Sequence, residues 1–158
     1  MAYEVTGHEV TEYGVIEREL FVEASPDVVY EVVSRPEHVA QWWPDEAHYT
    51  PAPGAPGSIA FGDTVVGFDV VEARPPSTFS FRWTQPVGEP AVVGNSLLVT
   101  FELTPSRGGT LLKMTERGFR EMGWEVAVLE EQYLEHVTGW DFYLPRIAPY
   151  AATLTVRP

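Results

Sequence analysis

The chain has 158 residues, no cysteine and a formal net charge of −13. This length is typical of one domain with one hydrophobic core. The negative charge repels phosphate backbones and anionic lipids, and the ten basic residues are scattered along the sequence, so we expect neither nucleic acid nor membrane as a partner. The absence of cysteine excludes disulfides, thiol catalysis and cysteine-ligated metal sites. Neither a signal peptide nor an apolar span is visible, which predicts a soluble, cytoplasmic protein.

The first third of the chain predicts one strand and two short helices. Alternating apolar residues over 15–22 are typical of a strand with one buried face. Ser25 followed by Pro26 is a helix start, with serine as the N-cap and proline at the first helical position. A second short helix is predicted over residues 36–43, again led by a proline.

The middle of the chain predicts five strands. Segment 50–57 holds three prolines and two glycines and is therefore a loop. Gly62-Asp63 is a pair suited to the tight turn of a β-hairpin. The predicted strands cover residues 58–61, 64–72, 77–84, 96–104 and 110–116. Their alternation is typical of an antiparallel sheet with one covered face.

A long helix is predicted over residues 124–150, with a kink at Pro145 because proline removes a helical hydrogen bond. Its apolar positions recur at steps of three and four: Val126, Leu129, Tyr133, Val137, Trp140, Leu144, Ile147 and Ala151. Gly139 would let the sheet approach this helix. The order of elements predicts an α+β fold, with a curved antiparallel sheet of about six strands wrapped around the C-terminal helix. We expect a single domain over residues 1–158, with loose ends at 1–12 and 153–158.

Four stretches, which together span most of residues 15–151, carry a family resemblance. They are ASPDVVYEVVSRPEHVAQWW (24–43), VVEARPPSTFSFRW (70–83), GGTLLKMTERGF (108–119) and GWDFYLPRIAPYA (139–151). They resemble the activator of heat-shock-protein-90 ATPase homologue-like family, within the START-like (SRPBCC, helix-grip, Bet v 1-type) superfamily. The resemblance implies a START-like domain with a hydrophobic cavity between sheet and C-terminal helix. Family members include small-molecule binders and cyclases. Two features depart from the family pattern: Glu116 stands where histidine is often expected, and residues 120–131 lengthen the approach to the last helix.

Inward-facing apolar residues are the predicted ligand contacts in such a cavity. They are Phe61, Phe79, Phe81, Trp83, Phe101 and Met114 on the strands, with Tyr133, Val137 and Trp140 on the helix. A solid core explains the same alternation, and composition does not separate the two. Trp42 and Trp43 point about 100° apart on a helix, so we expect one beneath the helix pair and one at the cavity entrance.

Three polar residues are also predicted to contact the ligand. Arg18 and Glu116 both face inward by alternation, and buried charges are costly unless they are paired. We therefore expect the two side chains within hydrogen-bonding reach, either as a structural ion pair or as a polar handle for a ligand carboxylate or carbonyl. His136 adjoins the inward stripe, one turn from Tyr133, but no supporting catalytic constellation accompanies it.

The sequence thus predicts a protein that binds a small hydrophobic or aromatic molecule between the sheet and the C-terminal helix. One alternative is a cyclase- or hydrolase-type enzyme that uses the same cavity through Tyr133 and His136, or through the Arg18–Glu116 pair. Another is a protein-interaction module, such as a chaperone ATPase activator. No catalytic residue, metal ligand or cofactor is assigned. His38 and His48 match no metal-binding pattern, and the neighbouring carboxylates of Glu37, Asp45 and Glu46 are expected to form a solvated acidic rim. A homodimer is expected through an edge strand or the segment 139–150.

Overall fold

The computed structural model describes residues 13–155, which form a seven-stranded antiparallel sheet and four α-helices. In chain order the elements are β1 Val15–Val22, α1 Pro26–Ser34, α2 Pro36–Trp42, β2 Glu46–His48, β3 Ser58–Phe61, β4 Thr64–Arg74, β5 Thr78–Trp83, β6 Leu97–Ser106, β7 Gly109–Arg117, α3 Val126–Tyr143 and α4 Ile147–Thr155. The strand order is β1-β7-β6-β5-β4-β3-β2. The predicted α+β helix-grip fold is confirmed.

Two details differ from the sequence-based expectation. A seventh strand, β2, pairs with β3 in a segment where no strand is predicted; its three residues are too few to show an alternating pattern. Helix α4 continues to Thr155, into the end that was predicted to be loose. The predicted loose end at residues 1–12 lies outside the described residues.

Local signals position the first two helices as predicted. The Ser25 hydroxyl accepts a hydrogen bond from the Val28 amide at 3.3 Å and caps α1, with Pro26 in the first turn. Trp42 is buried, and its indole Nε1 donates to the Val32 carbonyl at 2.9 Å, which ties α2 to α1. Helix α1 packs on β5 and β6, and α4 packs on α1, so these helices cover the middle of the sheet.

The middle of the interior is filled by the protein's own side chains. The rings of Phe68 and Phe81 stack with centroids 4.1 Å apart, and those of Trp42 and Phe101 meet edge to face at 6.3 Å. Five apolar residues among the predicted ligand contacts are at most 1% exposed: Trp42, Phe79, Phe81, Phe101 and Met114. The cavity that the family resemblance implies between the sheet and the C-terminal helix is therefore not found over the middle of the sheet, where the core is packed.

Helix α3 lies loosely over one end of the sheet. Of its 18 residues only Leu129 and Trp140 are buried, and Val126, placed on the apolar stripe by its spacing, is 74% exposed. The kink predicted at Pro145 is a 3₁₀ turn, Leu144–Arg146, that separates α3 from α4. Beyond this turn Ile147 is fully buried, so the break allows α4 to enter the core while α3 stays partly outside it.

Candidate functional site

A cleft remains open where α3 crosses strands β3–β5. Its volume is about 450 Å³, within the range of about 300–1,000 Å³ that is typical of small-molecule sites. We call it the aromatic cleft. It is lined by Trp43, Phe61, Thr64, Val66, Trp83, Thr84, Gln132, Glu135, His136, Gly139, Trp140 and Tyr143.

Trp43 is the centre of the aromatic wall. Its ring centroid lies 4.9 Å from that of Trp83, 5.0 Å from that of Trp140 and 6.0 Å from that of Phe61. Tyr143 extends the wall from α3, 6.3 Å from Phe61. The edge-to-face and tilted geometries match the orientations that aromatic rings prefer, so the wall is a rigid surface for a ligand ring.

Gly139 explains part of the open space. A Cβ atom added at this position would have no heavy atom within 4 Å, which means that the position faces open space. The expectation that the sheet approaches the helix at Gly139 is therefore wrong, because the glycine widens the cleft instead of accommodating a strand.

The buried carboxylate of Glu116 contacts the polar atoms of three lining side chains, those of Trp83, Trp140 and His136. This carboxylate is 0% exposed. Oε2 accepts a hydrogen bond from Trp83 Nε1 at 2.7 Å, and Oε1 accepts from Trp140 Nε1 at 2.7 Å and contacts His136 Nδ1 at 2.9 Å. These bonds satisfy a buried carboxylate and fix the two indoles and the imidazole relative to one another.

The predicted pairing of Arg18 with Glu116 is wrong. The two residues lie on the same face of the sheet, but Arg18 is opposite Met114, and Glu116 is opposite Ile16. Arg18 reaches outward instead, and its Nε donates to Asp141 Oδ1 of α3 at 2.7 Å. Leaving the arginine partly in water avoids most of the cost of burying it, and Glu116 is satisfied by neutral N–H donors and His136.

The environment of His136 raises the pKa of its imidazole. Burial alone opposes the charged ring, but the negative charge of Glu116, its hydrogen bond to Nδ1, and the charge of Glu135 together outweigh burial. The side chain is 15% exposed and lines the aromatic cleft. The raised pKa of His136 thus places in the wall an imidazole whose charge depends on pH.

We expect the stabilising effect of His136 to fall as the pH rises. A raised pKa in the folded state contributes stability that is fully present below the ordinary value of 6.5 and is lost as the pH passes the raised value. Urea unfolding of the wild type and His136→Gln between pH 5.5 and pH 8.5 measures this. The difference in unfolding free energy should shrink toward high pH; a constant or growing difference would contradict the assignment. His48→Gln, which removes an exposed imidazole, is the control.

Thr84 is an unusual residue at the edge of the cleft. Its φ of +81° lies in the left-handed region, which costs a β-branched residue about 1–3 kcal/mol. Its Oγ1 is buried and has no hydrogen-bonding partner among residues 13–155. Because this oxygen has almost no exposed surface, Thr84 is a strained, unpaired residue at the edge of the cleft and its hydroxyl is not presented to a ligand.

The structure gathers five predicted ligand contacts in the aromatic cleft: Trp43, Phe61, Trp83, His136 and Trp140. Glu116 lies directly beneath them. Trp42 is buried and bonded to α1, as expected, but Trp43 is a buried part of the cleft wall and not an exposed entrance residue. The two rings stack with centroids 5.9 Å apart instead of pointing in different directions. None of the five packed core residues lines the cleft. Tyr133 and Val137 do not line it either; the Tyr133 hydroxyl donates to the Val15 carbonyl at 2.8 Å.

Seven lining residues were not predicted: Thr64, Val66, Thr84, Gln132, Glu135, Gly139 and Tyr143. Most are polar or small, and the search for large inward-facing residues passes over such types. Within the described part of the chain, no group of three or more histidine or carboxylate side chains is arranged to hold a metal ion. No helix of that part is both long and apolar enough to cross a bilayer.

Solved structures share this fold. Protein MLL2253 from Mesorhizobium loti is 21% identical over 90% of this chain and 99% of its own, with a TM-score of 0.74. The Aha1 dimer from Colwellia psychrerythraea is 18% identical over 85% of this chain and 92% of its own, with a TM-score of 0.66. DynU16 is 24% identical over 89% of this chain and 48% of its own, with a TM-score of 0.67.

No protein of curated function matches the sequence. The profile of the family described as "Activator of Hsp90 ATPase homolog 1-like protein" matches residues 23–152. That match covers most of the chain, including every lining residue of the aromatic cleft. The chain therefore belongs to the Activator of Hsp90 ATPase homolog 1-like family.

Proposed function

We propose that the protein binds a small, largely apolar aromatic molecule in the aromatic cleft. The observation that carries the proposal is an open space of about 450 Å³ beside three tryptophans, two of which Glu116 holds in place. A preformed wall of this kind loses little conformational freedom when a ligand binds. Its rings offer a ligand stacking and edge-to-face contacts.

The polar groups of the cleft narrow the ligand class. His136 suits a molecule that carries a hydrogen-bonding group, such as a phenol or a ketone. The lining contains the carboxylate of Glu135 and, among residues 13–155, no arginine or lysine. This local charge favours a neutral ligand over an anionic one.

We favour binding over catalysis because only one member of the predicted catalytic pair, Tyr133 and His136, faces the cleft. His136 lines the cleft, whereas Tyr133 is bonded to the Val15 carbonyl and does not line it. The Arg18–Glu116 alternative is removed by the pairing of Arg18 with Asp141. A small-molecule role also agrees with the neighbour DynU16, which is described as a putative protein in the dynemicin biosynthetic locus.

A homodimer remains a proposal. The outer side of α3 exposes Leu134 and Phe142, two turns apart, and one structural neighbour is described as an Aha1 dimer. Exposed apolar residues of this kind support association with a second copy. The native mass spectrum used to detect a bound ligand also reports the mass of the assembly.

N-phenyl-1-naphthylamine, a neutral aromatic dye that fluoresces strongly only in apolar surroundings, tests the proposed function. We expect saturable fluorescence with the full chain, displacement by excess 1-naphthol, and a higher melting temperature with the dye present. At one hundred times the dissociation constant, binding stabilises the fold by about 2.7 kcal/mol. Native mass spectrometry should show one dye molecule per chain. Fluorescence that does not saturate, with no thermal shift, would contradict the proposal.

A further inference from the structure

A second cleft, of about 430 Å³, lies on the outer face of the sheet, away from the helices. We call it the arginine cleft. It is lined by Gly14, Val15, Arg82, Val93, Ser96, Leu98, Arg117, Gly118, Arg120 and Glu121. Three of the nine arginines of this acidic chain therefore meet in one cleft, although they are scattered in the sequence.

Strand register brings these residues together. Val15 of β1 pairs with Arg117 of β7, Arg117 pairs with Leu98 of β6, and Leu98 pairs with Arg82 of β5. Paired residues share a face, so the four side chains form one row across the sheet. The neighbouring residues Ile16, Glu116, Leu97 and Trp83 are buried on the helix side, which places the row on the outer side. The row alternates apolar and cationic side chains.

The arginines of this cleft have guanidinium N–H groups that make no hydrogen bond or ion pair within residues 13–155. Arg82 is half-buried. Among residues 13–155 its side chain makes hydrogen bonds only through Nη1, both at 3.4 Å, to the carbonyl and hydroxyl of Ser96. The carboxylate opposite Arg82, that of Asp69, accepts from the Ala91 amide instead. Within residues 13–155, the side chains of Arg117 and Arg120 form no ion pair, although three arginines elsewhere in that range pair with a carboxylate: Arg18, Arg35 and Arg74.

We propose that the arginine cleft binds a small organic anion, a carboxylate or phosphate monoester that carries an apolar group. Guanidinium groups offer planar pairs of N–H donors that match carboxylate and phosphate oxygens. Val15, Val93 and Leu98 supply the apolar surface for the rest of the molecule. Among residues 13–155, the lining holds three arginines and one carboxylate, that of Glu121, so the charge of this part of the cleft is positive. At physiological salt the Debye length is about 8 Å, so carboxylates on the rest of the surface that lie farther away than this repel a bound anion only weakly.

Phenyl phosphate is the probe, and benzyl alcohol is its uncharged counterpart. Titrations of the ¹⁵N-labelled full chain at 0.15 M salt should show saturable shifts of the Val93 and Gly118 amides with phenyl phosphate and none with benzyl alcohol. Because charge-assisted hydrogen bonds would be lost, Arg82→Gln and Arg117→Gln should each weaken binding by at least about tenfold. Arg74→Gln, which removes an exposed arginine paired with Glu72, is the matched control and should bind like the wild type.

Equal binding of phenyl phosphate and benzyl alcohol would overturn the proposal, because the cleft would then select only for apolar surface. Phenyl phosphate binding that does not saturate would also overturn it. So would an equal loss of affinity in Arg74→Gln and Arg117→Gln. Binding of the naphthylamine dye in the aromatic cleft is a check on folding, and it should be unchanged in all three variants.

Discussion

Replacing Glu116 by alanine is expected to destabilise the fold by about 3–5 kcal/mol, the range seen when one partner of a buried charged network is removed. The side chain is 0% exposed and is the hydrogen-bonding partner of Trp83, Trp140 and His136. Alanine would leave two indole N–H groups and the imidazole unsatisfied around a new void. Urea denaturation at pH 6 measures the loss.

Glu116→Gln separates the hydrogen bonds from the void. Glutamine keeps the volume but has one acceptor oxygen, so its amide nitrogen must face a donor on one side. We expect a loss smaller than that of alanine but above about 1 kcal/mol. Glu102→Ala, on the exposed side of β6, is the control and should change stability by less than about 0.5 kcal/mol. Stability of Glu116→Ala within 1 kcal/mol of the wild type would refute the role of Glu116 as the support of the cleft.

Gly139→Leu is expected to weaken ligand binding by at least about tenfold without loss of stability. The new side chain would grow into open space, since no heavy atom lies within 4 Å of a Cβ atom at this position. It would fill part of the aromatic cleft. Glycine in a helix interior costs about 1 kcal/mol relative to alanine, so the variant should melt at or above the wild-type temperature. The leucine would remove contacts between the naphthylamine dye and the cleft. A loss of about 1.4 kcal/mol of binding free energy is enough to lower the affinity tenfold, so we expect a fall of at least that size.

Two further variants make this result interpretable. Ala127→Leu adds a leucine side chain to an exposed position of the same helix, outside the cleft, and should bind the dye like the wild type. Gly139→Ala should gain helix stability and retain most of the affinity, because a methyl group fills little of the space. Unchanged affinity in Gly139→Leu would show that the dye binds elsewhere.

Most of the fold could be predicted because its signals are local. Ser25-Pro26 starts α1, Gly62 has the positive φ of +61° that a hairpin turn needs, and Pro145 divides the C-terminal helix. The alternation of Phe79, Phe81 and Trp83 identifies the inward face of β5. Strand β2 was missed because three residues carry no periodicity.

The shape of the site could be predicted only in part. Alternation identifies which residues face inward but does not show whether their side chains fill the interior. Here Trp42 and Trp43 fill much of the space between α2 and the sheet. Helix α3 buries only two of its residues, and the space between it and the sheet stays partly open as the aromatic cleft. The partner of Glu116 was predicted as the arginine with the nearest inward position, whereas the indole N–H groups of two tryptophans already satisfy it.

The arginine cleft could not be predicted from spacing. Arg82 and Arg117 are 35 positions apart, and only the register of β5, β6 and β7 places them on one row with Leu98 between them. A strand shift of one residue would move Arg117 to the buried face. A charge pattern along the sequence therefore says little about the charge pattern across a sheet.

The most direct test of ligand binding in the aromatic cleft is a ¹H–¹⁵N titration that follows the five tryptophan indole N–H signals as the naphthylamine dye is added. Trp43, Trp83 and Trp140 line the cleft, whereas Trp42 and Trp124 do not. We expect saturable shifts of the first three signals with one common dissociation constant, and a nearly constant Trp124 signal. Shifts confined to Trp124, or spread equally over all five without saturation, would contradict the account.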